Sequence, residues 1–159
     1  MNIISLFCGC GGMDLGLVKA GHKIVYANDN DKDSIDTYKR YFTKKFKISA
    51  AHIHLNDIKK EKINNIPNAD VIVGGFPCQG FSIANIFRKD KRKMERKNND
   101  LYLEMIRIIK GKKPKYFIAE NVPGILSLGG YVDKQKKKEK NWTYIWIHSK
   151  WFSKDWLQS

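Results

Sequence analysis

Three short segments carry residues whose types and spacing suit chemistry. The first is Gly74-Gly75-Phe76-Pro77-Cys78-Gln79-Gly80-Phe81-Ser82, in which Cys78 sits in a glycine- and proline-bounded turn that leaves an apolar run. A cysteine so placed is set up for exposure and nucleophilic reactivity, and the competing reading is a small apolar filler. The second is Glu120-Asn121-Val122-Pro123-Gly124, where a carboxylate emerges from the apolar run YFIA into a turn. That carboxylate is either a helix cap or an acid near a reaction centre. The third is Phe7-Cys8-Gly9-Cys10-Gly11-Gly12, whose glycines let the backbone turn sharply and approach a ligand that a side chain would block. Tight packing of a strand against the next helix explains such a turn equally well.

This glycine turn is not the dinucleotide fingerprint, because G-x-G-x-x-G counted from Gly9 needs glycine where Asp14 stands. Asp29 follows Gly9 by 20 residues. In a parallel α/β fold that position reaches the ribose hydroxyls of an adenosine held over the turn. Asp57 falls further along the same edge. An acidic rim without a phosphate-binding fingerprint suits a cationic, phosphate-free adenosine ligand such as S-adenosylmethionine better than NAD. Either aspartate could instead cap the helix that follows it. No metal is expected: Cys8-x-Cys10 is too tight for a zinc ribbon, and no local histidine pair completes four ligands.

The elements that must position these groups alternate between β-branched runs and helical patterns, the signature of a parallel sheet flanked by helices. Strands are expected at 2–7, 23–28, 52–55, 70–74 and 115–120. A first helix is expected over 12–20. A second runs from Asp31 to Phe42, with Ile35, Tyr38 and Phe42 at helical spacing and Asp31 or Asp33 available as a cap. A third follows Leu101, Met105, Ile108 and Ile109. All three segments with chemistry then fall at strand ends on one edge of one sheet. All 12 glycines lie at or before Gly130, whereas the four tryptophans, Trp142, Trp146, Trp151 and Trp156, all come later. The expected division is a catalytic domain over 1–130 and an atypical Lys/Trp-rich tail over 131–159, with one more strand at 143–147.

The chain has 159 residues, enough for one domain with a real core. Lys+Arg 30 against Asp+Glu 16 leaves a net charge of +14, which makes nucleic acid the first partner to test. The run 88–97, RKDKRKMERK, concentrates seven basic residues against two acidic ones. No apolar run approaches the length of a membrane span, and the first residues lack the charged flank of a signal peptide, so the expectation is a cytoplasmic protein without a membrane partner. Three cysteines do not suggest a disulfide framework.

In this order and spacing, SLFCGCGG, the acid in YANDND, the NDI that follows, GGFPCQGFS and AENVPG closely resemble the N-terminal catalytic motifs of the DNA cytosine-5 methyltransferases, over about residues 3 to 130. The resemblance implies an incomplete Rossmann-like, S-adenosylmethionine-dependent α/β fold with a mostly parallel sheet. It implies that Cys78 attacks C6 of a flipped cytosine and that Glu120 hydrogen-bonds the base. It assigns Phe7, Gly9 and Gly11 to the cofactor turn, Asp29 to the ribose, and Asp57 with Ile58 to the adenine. Pro77, Gln79 and Ser82 belong to the catalytic turn on the DNA side, and Asn121 braces it. Arg88, Lys89, Lys91, Arg92 and Lys93 fall in the loop that closes over DNA, where phosphate contact is the natural reading.

Two departures from the family pattern stand out. Asn30 occupies a place where the family usually has a large apolar residue. The family's Q-x-R-x-R motif and target-recognition region are not found, and no segment stands out as the strand that inserts beside strand five. The chain therefore reads as the N-terminal part of a DNA (cytosine-5-)-methyltransferase of the restriction-modification kind, truncated or completed by a second polypeptide. The alternative is a catalytically dead remnant that binds DNA or a partner subunit. Strand five is expected to be an exposed edge unless the Trp-rich tail or another chain covers it.

Overall fold

The computed structural model describes residues 1–77, 101–121 and 143–148. Its centre is β1 (Asn2–Leu6), flanked by β2 (Lys23–Asp29) on one side and β4 (Val71–Gly75) on the other. Beyond β2 lies β3 (Ile53–Leu55), and beyond β4 lie β5 (Tyr116–Asn121) and β6 (Thr143–His148), giving the order β3-β2-β1-β4-β5-β6. The first five strands pair in parallel, which places their carboxyl ends on one edge.

Among the described residues three α-helices complete the layers: α1 (Gly12–Lys19), α2 (Lys32–Phe46) and α3 (Leu101–Lys112). The side chains of β1 alternate between two cores. Ile3 packs with Ile35, Tyr38 and Phe42 of α2, whereas Ile4 and Leu6 pack with Met105 and Ile108 of α3. Both faces of the sheet are thus covered, as a parallel sheet requires. The Asp31 carboxylate caps α2 by accepting from the Ser34 amide at 2.8 Å, and hydrogen bonding from the Ser34 side chain, together with this amide, holds its carboxyl below the ordinary value.

The sixth strand resolves one expectation. A strand at 143–147 is expected from the sequence without an assigned partner, and strand five is expected to be an exposed edge unless the Trp-rich tail or another chain covers it. Thr143–His148 pairs antiparallel along the whole of β5, from Tyr116↔His148 to Asn121↔Thr143. The outer edge of β5 is therefore hydrogen-bonded rather than open. Period and residue type identify a strand, but its partner depends on where the chain returns in space.

Candidate active site

The carboxyl edge of the parallel strands holds a cleft of about 250 Å³. Five of the expected site residues line it: Phe7 after β1, Asp29 at the end of β2, Asp57 and Ile58 after β3, and Pro77 after β4. Asn30, which stands where the family usually has a large apolar residue against the adenine, also lines the cleft, and Asn28, Asn56, Gly75 and Leu101, to which the sequence assigns no binding role, complete the wall. Asn28, Asn30 and Asn56 flank the acids Asp29 and Asp57 in the chain, so their adjacency was the available signal.

The glycine turn is built by positive φ at three alternate residues. Phe7, Gly9 and Gly11 have φ of 55°, 53° and 88°, and the Cys8 amide donates to the Asn28 carbonyl at 3.0 Å. A phenylalanine in the left-handed region costs on the order of 1–2 kcal/mol, and here it sets Phe7 in the cleft wall. Gly9 and Gly11 do not line the cleft. For Gly11 the structure supplies a different reason: a Cβ there would meet the Phe42 ring and stand 2.8 Å from Tyr38 Cδ2. Gly11 is needed because α2 packs directly on the turn.

Beneath the turn, Asp14 is buried and accepts from Ser5 Oγ at 2.7 Å and from the Tyr38 hydroxyl at 2.6 Å. One side chain thereby ties β1, α1 and α2 together. Burial raises its carboxyl above the ordinary value, while the two hydrogen bonds pull the other way. Burial also pushes the Cys8 thiol far up, with the charges of Asp14 and Asp29 adding to the effect, which disfavours the thiolate there.

Asp29 does not cap α2. Its Oδ2 accepts from the Gly9 amide at 2.8 Å and its Oδ1 from the Asp31 amide at 3.0 Å. The amide that would cradle a phosphate in a dinucleotide-binding turn thus faces a carboxylate. The Asp57 carboxylate caps a single turn of 3₁₀ helix by accepting from the Lys59 amide at 3.0 Å, so the capping reading holds for this aspartate even though it lines the cleft. The loop that carries it is tied to α3, where Arg107 donates to the Ile58 carbonyl at 2.9 Å and to Glu104 at 2.7 Å.

Glu120 lies in β5, paired with Gly75 of β4. A Cβ on Gly75 would stand 2.8 Å from Glu120 Oε2, so the glycine leaves room for this carboxylate at the sheet edge. The buried Asn121 donates from Nδ2 to the Phe76 carbonyl at 2.8 Å, joining the end of β5 to the residue before Pro77. Cys78, Gln79, Ser82, Arg88, Lys89, Lys91, Arg92 and Lys93 lie outside the described residues. Among the described residues no group of three or more His, Cys, Asp or Glu could hold a metal ion, and no helix is long and apolar enough to cross a membrane.

The sequence profile of the C-5 cytosine-specific DNA methylases matches residues 1–145. The chain is 43% identical over 128 residues to the type II methyltransferase M.NgoPII of Neisseria gonorrhoeae, covering 80% of this chain and 35% of that protein. It is 40% identical over 129 residues to M.FnuDI of Fusobacterium nucleatum, covering 80% and 34%. Among solved structures, an Escherichia coli prophage protein described as a DNA modification methyltransferase superposes with a TM-score of 0.61 at 31% identity, over 82% of this chain and 35% of that one. The chain thus spans about a third of the length of the curated relatives it matches.

Proposed function

Because the chain belongs to the C-5 cytosine-specific DNA methylase family, we propose that it binds S-adenosylmethionine in the cleft at the carboxyl edge and uses Cys78 to activate cytosine in DNA for methylation at C5. The observation that carries this reading is the carboxylate of Asp29 against the Gly9 amide. A phosphate placed over that turn would meet a negative charge, whereas a phosphate-free adenosine with a positive sulfonium would not. The donor set fits such a ligand. Asp29 keeps acceptor lone pairs for ribose hydroxyls beyond its two backbone bonds, and Ile58, Pro77 and Leu101 give the polar wall an apolar stretch for a base.

Bound there, S-adenosylmethionine supplies an electrophilic methyl group. Cytosine is a poor nucleophile at C5, and a protein without a metal can activate it by temporary covalent addition. The Cys78 thiolate forms a bond to C6, and the electron pair of the C5–C6 double bond becomes available at C5. Glu120 hydrogen-bonds the base and offsets the charge that develops. C5 takes the methyl group as the S–CH₃ bond breaks and neutral S-adenosylhomocysteine is left; the C5 proton then leaves to a base, the double bond re-forms, and the thiolate departs. The base must leave the duplex for any of this to occur. Arg88, Lys89, Lys91, Arg92 and Lys93 contact phosphates while it does so, with Gln79 and Ser82 on the DNA side of the catalytic turn.

Base-specific recognition needs further side chains held in a groove, supplied in this reading by the family's other motifs on the same or a second polypeptide. Calorimetric titration with S-adenosylmethionine is the test of the cofactor reading. Binding that weakens about tenfold or more in Asp29→Ala is expected, from loss of charge-assisted hydrogen bonds. Binding of NAD with no response to S-adenosylmethionine would overturn it.

A further inference from the structure

Two of the cleft-wall residues that the sequence passed over are joined in a chain of side-chain amides. Asn28 is only 1% exposed, and its Nδ2 donates both to the main-chain carbonyl of Asn56 at 3.0 Å and to Asn56 Oδ1. Asn56 Nδ2 in turn donates to Glu61 Oε2. The main chain reinforces the same joint, since the Asn56 amide donates to the Asp29 carbonyl at 3.1 Å. The Asn28 carbonyl meanwhile takes the Cys8 amide of the glycine turn. Asn28 therefore stands between the two rims of the cleft.

The direction of this chain is dictated by its far end. An ionised carboxylate only accepts, so Glu61 fixes the Asn56 amide with its NH₂ outward and its oxygen toward Asn28. Asn28 must then present its own NH₂ to Asn56, as the Asn56 main-chain carbonyl also requires, and its Oδ1 takes the opposite side of the amide. Both side-chain hydrogen bonds of Asn28 are made by Nδ2, and Asn28 is part of the cleft wall.

We infer that Glu61 is a positioning residue for the cofactor cleft: acting through Asn56, it orients the Asn28 amide so that Oδ1 is a fixed acceptor for an N–H or O–H donor of the bound adenosine. The inference rests on the cleft being the cofactor site. Preorganised in this way, the acceptor needs no reordering when ligand arrives. Glu61 never touches the ligand; through the Asn56 side chain it reinforces the orientation that the Asn56 main-chain carbonyl also favours.

The test is calorimetric titration of the chain with S-adenosylhomocysteine, with thermal melting of each variant to confirm folding. Glu61→Gln, which can still turn an amide oxygen toward Asn56, should bind within about threefold of the parent. Glu61→Lys offers only donors, turns the Asn56 amide over, and sets NH₂ against NH₂ at Asn28; a loss of about tenfold is expected. Asn56→Asp places a carboxylate beside Glu61 and should also lose affinity. Combined with Glu61→Lys, however, Asp at position 56 accepts from both Asn28 and the new lysine, so the double variant should recover most of the lost affinity. Additive losses in the double variant, or a Glu61→Lys protein that binds normally, would overturn the inference. A parent protein that binds no S-adenosylhomocysteine would instead overturn the cofactor reading on which it rests. S-inosylhomocysteine, which lacks the adenine amino group, identifies the donor. Weaker binding of it by the parent points to that amino group, and equal binding points to a ribose hydroxyl.

Discussion

Gly9 and Gly11 look interchangeable in the motif Cys8-Gly9-Cys10-Gly11-Gly12, yet alanine should affect them very differently. Both have positive φ, 53° and 88°, so both variants carry a left-handed strain of about 1–2 kcal/mol. At Gly9 a Cβ meets nothing within 4 Å, and strain is the whole cost. At Gly11 the Cβ would stand 2.8 Å from Phe42 Cζ and 2.8 Å from Tyr38 Cδ2, both on fully buried rings that cannot swing aside. Overpacking of that kind adds about 1–3 kcal/mol. The shared strain cancels in the comparison, so Gly11→Ala should be less stable than Gly9→Ala by about 1–3 kcal/mol, or about 2–12 °C in melting temperature for a domain of this size. Urea and thermal unfolding of the two variants, in one buffer, measure the difference. Adding Phe42→Leu should shrink it, because the truncated side chain makes room for the new methyl group. Equal stabilities, or a difference untouched by Phe42→Leu, would refute the argument that Gly11 serves packing.

Asp14 should give an unusual pH signature. Its folded carboxyl titrates above the ordinary 3.8, so its contribution to stability is complete below that value and is lost as pH rises through the folded one. Asp14→Asn, which has no charge to bury, should therefore gain on the parent in melting temperature as pH rises from about 4, then level off; a constant difference would contradict the burial argument. The basic run should act through phosphates alone. Neutralising Arg88, Lys89, Lys91, Arg92 and Lys93 together should flatten the slope of log K against log salt by up to about 4.5 in DNA-binding titrations, and an unchanged slope would place the DNA surface elsewhere.

Much of the architecture was legible because it is written in local periods. Ile35, Tyr38 and Phe42 recur at helical spacing, Asp31 stands one residue before the helix, and α2 forms there, running on to Phe46. The strand ends that carry Asp29, Asp57 and Glu120 were readable for the same reason, since β-branched runs followed by turn residues mark where a parallel sheet ends. What stayed hidden depends on residues brought together from different elements. Ser5, Asp14 and Tyr38 belong to three elements, and nothing in the sequence around Asp14 says that both its oxygens are buried and satisfied. The role of Gly11 depends on Phe42, 31 positions away in the chain. The relay from Glu61 to Asn28 spans a strand end and a loop, and its direction follows from chemistry visible only when the three side chains touch.

The most direct test of the central claim is covalent trapping. A chimera in which this chain replaces the matching 128 residues of the Neisseria gonorrhoeae relative supplies the remaining two thirds of such a protein. Incubated with S-adenosylmethionine and duplex DNA carrying 5-fluorocytosine at the relative's recognition site, the chimera should form a protein–DNA adduct stable to denaturation. The fluorine at C5 cannot leave as a proton, so the thiolate bonded to C6 is never expelled. Cys78→Ala should form no adduct, while Cys8→Ala and Cys10→Ala should still be trapped. An adduct in the Cys78→Ala protein, or none in a folded chimera that binds both S-adenosylmethionine and the DNA, would contradict the account.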